Sequence, residues 1–157
     1  ASQSAAQSRT GALKDTLNAS DKKINYVFED RAEWDRTKAK DLFEIFSKTG
    51  QKCDVAVGNN DDMALGAIDA LKASDIPKES WPGVVGIDGT DEGIEAVKNE
   101  EMLGTVYNDK EGQAREMLNL AFVIATDGDK SDIPLIDGKY VRTPYHKLTL
   151  ENIEEYE

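Results

Sequence analysis

The chain has 157 residues, enough for one compact domain with a real core, and its 31 acidic against 19 basic residues give a formal charge of −12. That balance argues against nucleic acid and anionic membrane surfaces as partners, because gripping phosphates requires clustered Lys and Arg. A single cysteine (Cys53) and a single histidine (His146) exclude an internal disulfide and a zinc cluster, and no run approaches the roughly 20 apolar residues of a membrane helix.

In chain order, the Ser/Ala/Gln-rich opening runs into a helical pattern through Leu13 and Leu17. A doubly wound sheet begins on a strand, so with an opening helix either a strand is missing upstream or the segment is ordered in some other way, and a fragment is expected. Ile24 to Phe28 reads as the first strand, and Trp34 follows at the mouth of a helix carrying Leu42, Ile45 and Phe46. Cys53 precedes the next apolar run, Val55 to Val57, and is expected to be a buried, inert thiol. Ala64, Ala67, Ile68 and Leu71 then fall at i, i+3, i+4, i+7, one apolar stripe on a helix. Val84 to Ile87 and Leu103 to Tyr107 read as further strands. Ala114, Met117, Leu118, Ala121 and Ala125 form another stripe, and each stripe reads as core packing. Ile133 to Ile136 and Lys139 to Tyr145 flank Asp137-Gly138, a hairpin-turn dipeptide. His146 lies in a polar tail beside Pro144, and Glu151 to Glu157 reads as a short acidic helix. The fold class is α/β, a doubly wound, mainly parallel sheet with helices on both faces.

Ligands of open α/β sheets bind beyond the carboxyl ends of the strands. There the chain places Gly58-Asn59-Asn60-Asp61-Asp62, Asp88-Gly89-Thr90-Asp91 and Asn108-Asp109, with Trp34 nearby. Amides and carboxylates can hold adjacent sugar hydroxyls, and an indole can cover the C–H face of a pyranose. Singly, Asn60, Asp88 and Asn108 read as helix caps or turn-formers, Trp34 as helix-entry packing, and Asp61 and Asp62 as charges favoured by a helix dipole. Their convergence on one sheet edge, without a nucleophile–base pair, is what points to a neutral polyol.

NNDDMALGAIDALK resembles the sugar-binding loop and following helix of the periplasmic binding proteins of the ribose/galactose class. GIDGTDEGIEAVKNEEMLGTVYNDKEGQAREM, VRTPYHKLTLENIEEY and AEWDRTKAKD are similar to the galactose/glucose-binding members of that family. The resemblance covers nearly the whole chain and implies the second lobe of a two-lobe clamp, with the first lobe missing. It implies that residues 1–109 form the sugar-binding domain without its first strand. Residues 110–140 would then cross over to pack on the missing lobe, and residues 141–157 would return to complete the domain. It assigns Asn60, Asp88 and Asn108 to sugar hydroxyls, Trp34 to a ring face and Arg9 to a hydroxyl-donor role. Arg9 on its own reads as an exposed helix charge. Gln3 and Ala5 depart from the His and Asp of the galactose/glucose pattern, and losing a carboxylate removes a strong charge-assisted hydrogen bond. Asp54 resembles the acid completing a calcium site in some members. One carboxylate cannot hold calcium, so no metal or other cofactor is expected in this chain.

The implied function is capture of a monosaccharide, glucose or galactose first, for delivery to the membrane permease of an ABC transporter. The implied home is periplasmic or extracellular, with a lipid anchor at the N-terminus as one option. Without the first lobe, residues 110 to 140 should show an exposed apolar surface, self-association or disorder. The alternative is the effector-binding half of a sugar-responsive transcription regulator of the LacI type. An enzyme is not expected, since glycoside hydrolysis needs two carboxylates across the scissile bond.

Overall fold

Four strands make one mixed sheet in the order β1-β2-β3-β4: β1 (Val55–Val57), β2 (Gly83–Asp88), β3 (Gly104–Asn108) and β4 (Tyr145–Thr149). The computed structural model describes residues 2–131 and 133–156, with Ser2 and Gln3 described by backbone alone. β1, β2 and β3 run parallel, and β4 closes on β3 antiparallel, with Thr105 opposite Leu148 and Asn108 opposite Tyr145. Among the described residues five α-helices accompany the sheet: α1 (Ser2–Asn18), α2 (Arg36–Lys48), α3 (Asp61–Lys72), α4 (Asp91–Lys98) and α5 (Lys110–Ala125).

Each parallel strand feeds a helix whose start is chemically marked. Asn60 caps α3 by accepting from the Met63 amide at 2.9 Å, and Asp61 and Asp62 follow in its first turn. Thr90 caps α4 through the Gly93 amide, and Asp109 caps α5 through the Gly112 amide. α3 packs on β1 and β2 and carries α2 on its other side, while α4 packs on β3. The expected stripe on α3 is buried, and with Val84, Val97, Met102, Leu148 and Ile153 it makes the core. Full burial of side chains such as Ile68, Leu71 and Leu148 stabilises by about 1.5–3 kcal/mol each.

Several expectations are corrected. Ile24 to Phe28 belongs to no ladder of the described sheet; Phe28 instead leans on Phe46 of α2, ring centroids 5.3 Å apart, and remains 44% exposed. An apolar run becomes a strand only where a neighbouring strand meets its N–H and C=O groups, and β1 is the edge of the observed sheet. The Asp137-Gly138 turn is present, with φ of 51° and 66°, but its flanks pair only through the Ile136–Tyr140 bridge. Ile136 and Tyr140 are both exposed. The chain then runs on into β4, so His146 is a strand residue opposite Tyr107 rather than part of a polar tail. The closing segment is a 3-10 turn, Ile153–Tyr156, which buries Ile153 and sets Tyr156 against Tyr107 at 4.8 Å. Cys53 is only partly buried, and burial is the main cause raising its thiol pKa.

The stripe on α5 does not enter the core. Met117, Leu118 and Phe122 are each about 70% exposed, and Gly112 is the only buried residue of the helix. The core-packing reading fails for α5, and the exposed apolar surface expected between residues 110 and 140 is present.

Candidate functional site

The carboxyl ends of β1, β2 and β3 lie side by side and deliver Asn60, Asp88 and Asn108 to one edge of the sheet. Their local chemistry separates them. Asn60, 8% exposed, spends its Oδ1 on capping α3 and directs Nδ2 toward the Trp34 carbonyl at 3.5 Å. Asp88 and Asn108 cap nothing, because Thr90 and Asp109 take that role. As the last residues of β2 and β3 they hold their polar ends at the strand mouths, and Asn108 Oδ1 accepts from Gln113 Nε2. Asp88 does so at φ 126°, a conformation that L-residues rarely adopt and that recurs at ligand-binding turns.

Arg9 reaches this edge from α1. Its Nη1 donates to the Asn59 carbonyl at 2.6 Å, its Nη2 donates to Asp88 Oδ1 at 2.9 Å, and the guanidinium lies 5.5 Å from the Trp34 ring centroid. Asn59 adds a bond from Nδ2 to Thr10 Oγ1, also on α1, at 2.8 Å. Glu33 and Trp34 both have positive φ, 54° and 67°, a sharp turn that brings the indole to the mouth of α2 just ahead of its cap, Asp35. Arg9, Trp34, Asn60 and Asp88 thus form one connected group. Asn108 joins it across an open hollow of about 440 Å³ lined by Asp88, Asn108, Thr90, Asp91, Glu92 and Lys110, among others.

Burial raises the pKa of Asp88 from its ordinary value; the Arg9 charge and hydrogen bond oppose that shift, and Asp61 and Asp62 reinforce it. The arrangement is acceptors, amide and guanidinium donors and one indole face, the equipment for holding hydroxyl groups. Ala5 precedes Arg9 by one helical turn and is exposed, whereas the Gln3 side chain lies outside the described residues. Asp54 is exposed at the opposite end of β1, and among the described residues no group of three or more His, Cys, Asp or Glu side chains could hold a metal ion. Sequence reasoning put Thr90 and Asp91 at this edge but missed Glu92 and Lys110 as lining. Their signal was position, immediately after β2 and β3.

Residues 1–130 match the family described as a periplasmic binding protein domain, and the chain belongs to that family. Among its relatives, the D-galactose/methyl-galactoside binding periplasmic protein MglB of Haemophilus influenzae is 30% identical over 96% of this chain and 46% of its own length. The ribose import binding protein RbsB of the same organism is 35% identical over 79% of this chain and 39% of its own. An ABC transporter solute binding protein from Bacillus halodurans, solved with bound myo-inositol, superposes with a TM-score of 0.80 at 33% identity, covering 94% of this chain and 47% of that one. The chain therefore spans about half the length of the relatives it matches, and these relatives are binding proteins rather than enzymes.

Proposed function

We propose that this chain is one lobe of a two-lobe solute-binding protein that captures a monosaccharide or similar polyol for an ABC transporter outside the cytoplasm. The observation that carries the reading is the Arg9–Asp88 pair laid over Trp34 at the carboxyl ends of the sheet, beside Asn60 and Asn108. Asp88 accepts from ligand hydroxyls, the Asn108 amide and Arg9 donate to them, and the Trp34 face covers ring C–H groups. No bond is made or broken. A ligand that contacts both lobes favours the closed form by its differential affinity for it, and the closed form docks on the permease.

Residues 1–109 and 141–157 make the binding lobe in this reading, consistent with Leu148 and Ile153 lying in the same core as Ile68 and Val84. Residues 110–140 serve the first lobe, whose contact would cover Met117, Leu118 and Phe122; in its absence the same face drives self-association. A lipid anchor ahead of α1 would keep the protein at the membrane. Calorimetry against D-galactose, D-glucose, D-ribose and myo-inositol, with this chain alone and with the first lobe supplied, tests the reading. One ligand binding with a gain from the added lobe is expected. Absence of heat from all four in both formats would overturn it.

A further inference from the structure

Among the described residues the buried polar side chains are Asn60, Asp61 and Thr105, and of these only Asp61 is ionisable. It is fully buried at the first position of α3, whereas its neighbour Asp62 is exposed. Both complement the helix dipole, and an exposed carboxylate suffices for that. Burial of Asp61 therefore needs a different account, since a carboxylate is withdrawn from water at heavy cost unless its oxygens are satisfied.

They are. Asp61 Oδ2 accepts from the Thr90 amide at 2.7 Å and from Thr90 Oγ1 at 3.1 Å, and Oδ1 accepts from Thr105 Oγ1 at 2.6 Å. The surrounding backbone is cut to fit. A Cβ on Gly93 would lie 2.6 Å from Asp61 Cγ, and one on Gly86 would collide with Oδ1. The partners are also placed by sequence. Asp61 follows Asn60, Thr90 stands two residues after Asp88, and Thr105 stands three before Asn108. One buried carboxylate thus joins the three segments that carry the polar side chains of the site.

We propose that Asp61 is the positioning residue of the ligand site, fixing the Asp88-Gly89-Thr90 turn against the entrance of α3. The proposal rests on the polyol-binding reading. The turn needs such an anchor: Asp88 and Gly89 both have positive φ, 126° and 68°, and an unanchored chain would relax out of that conformation. Held by its amide on Asp61, Thr90 caps α4 with the same hydroxyl that donates to Asp61, and Asp88 is left pointing at Arg9.

Asp61→Asn tests this, because the amide turns a donor toward a site that needs an acceptor. The first arm needs no ligand. Hydrogen exchange of the Thr90 amide should accelerate at least about 10-fold beyond any change in the slowest-exchanging core amides, the loss of one charge-assisted bond. The second arm is calorimetry with D-galactose and myo-inositol on the two-lobe protein. Asp61→Asn should weaken binding about 10-fold or more in the wild-type background and less than about 2-fold when Asp88 is already Ala, because the effect travels through Asp88. If Asp61→Asn does not fold, Thr105→Val, which removes one donor and keeps the shape, carries both arms with the same signs. Unchanged Thr90 exchange overturns the proposal, as does an equal loss of affinity in both backgrounds. If neither polyol binds wild-type protein, the functional reading fails while the exchange arm still decides what Asp61 does.

Discussion

Asp88→Asn separates what the site needs from what the fold needs. The substitution keeps the shape and removes the charge. Arg9 takes Asp88 Oδ1, and in the proposed binding mode Oδ2 accepts from a ligand hydroxyl. A hydrogen bond to a charged acceptor contributes about 1.5–3 kcal/mol, so affinity for the cognate polyol should fall about 10- to 150-fold. Stability should not fall with it. Asp88 has a raised pKa, mainly from burial, which means that the folded state disfavours its charged form even with Arg9 beside it. For an acid with a raised folded pKa, the carboxylate lowers stability above that value, and the effect disappears below the unfolded value of about 3.9. Asp88→Asn should therefore be as stable as wild type or more so near pH 7, and the difference should close as the pH falls to about 3.5. The Arg9–Asp88 pair is partly solvent-exposed, 21% and 31% at its two side chains, so its loss costs no more than about 1 kcal/mol. Urea denaturation at both pH values, with calorimetry on the same samples, makes the measurement. A variant that loses more than about 1 kcal/mol at pH 7 while keeping its affinity would refute the reasoning and make Asp88 a structural ion-pair partner.

Leu148→Ala, at a fully buried position of β4, should cost about 2–5 kcal/mol in urea unfolding; a cost below about 1 kcal/mol would mean that β4 is not part of the core. Arg36 bridges α2 to α3 and α4, with Nε and Nη2 on Asp69 at 2.6 and 2.9 Å and Nη1 on Glu92 at 2.5 Å. That contact holds the Asp69 pKa below its ordinary value, so its contribution is present at neutral pH and is lost as the pH falls through the depressed value. Asp69→Asn should cost about 0.5–1 kcal/mol near pH 7, given the partial exposure of the pair, and nothing once the pH has fallen through the depressed value; a loss independent of pH would assign the effect to packing. Phe122→Glu on the exposed face of α5 should lower the sedimentation coefficient of the isolated chain at high concentration without changing its thermal midpoint by more than a few degrees. A dimer that persists unchanged would place self-association elsewhere.

The sequence by itself determined the helices, the three parallel strands and the edge where Asn60, Asp88 and Asn108 meet. These follow from local information: 3.6-residue stripes such as Ala64 to Leu71, capping residues, and short apolar runs bounded by turn-formers. Tertiary structure decided the rest. Ile24 to Phe28 and Tyr145 to Thr149 both needed a neighbouring strand to settle their state; the second has one in β3, and the first has none in the described sheet. Of the three strand-end residues read equally as caps, only Asn60 became one, because Thr90 and Asp109 stood one or two residues closer to their helices. Arg9 finds Asp88 from 79 residues away, and Asp61 is buried rather than exposed because Thr90, Thr105 and two glycines from separate segments close around it. Periodicity and capping act within a few residues and are written in the chain. Strand pairing and the satisfaction of a buried carboxylate depend on groups brought together by the fold.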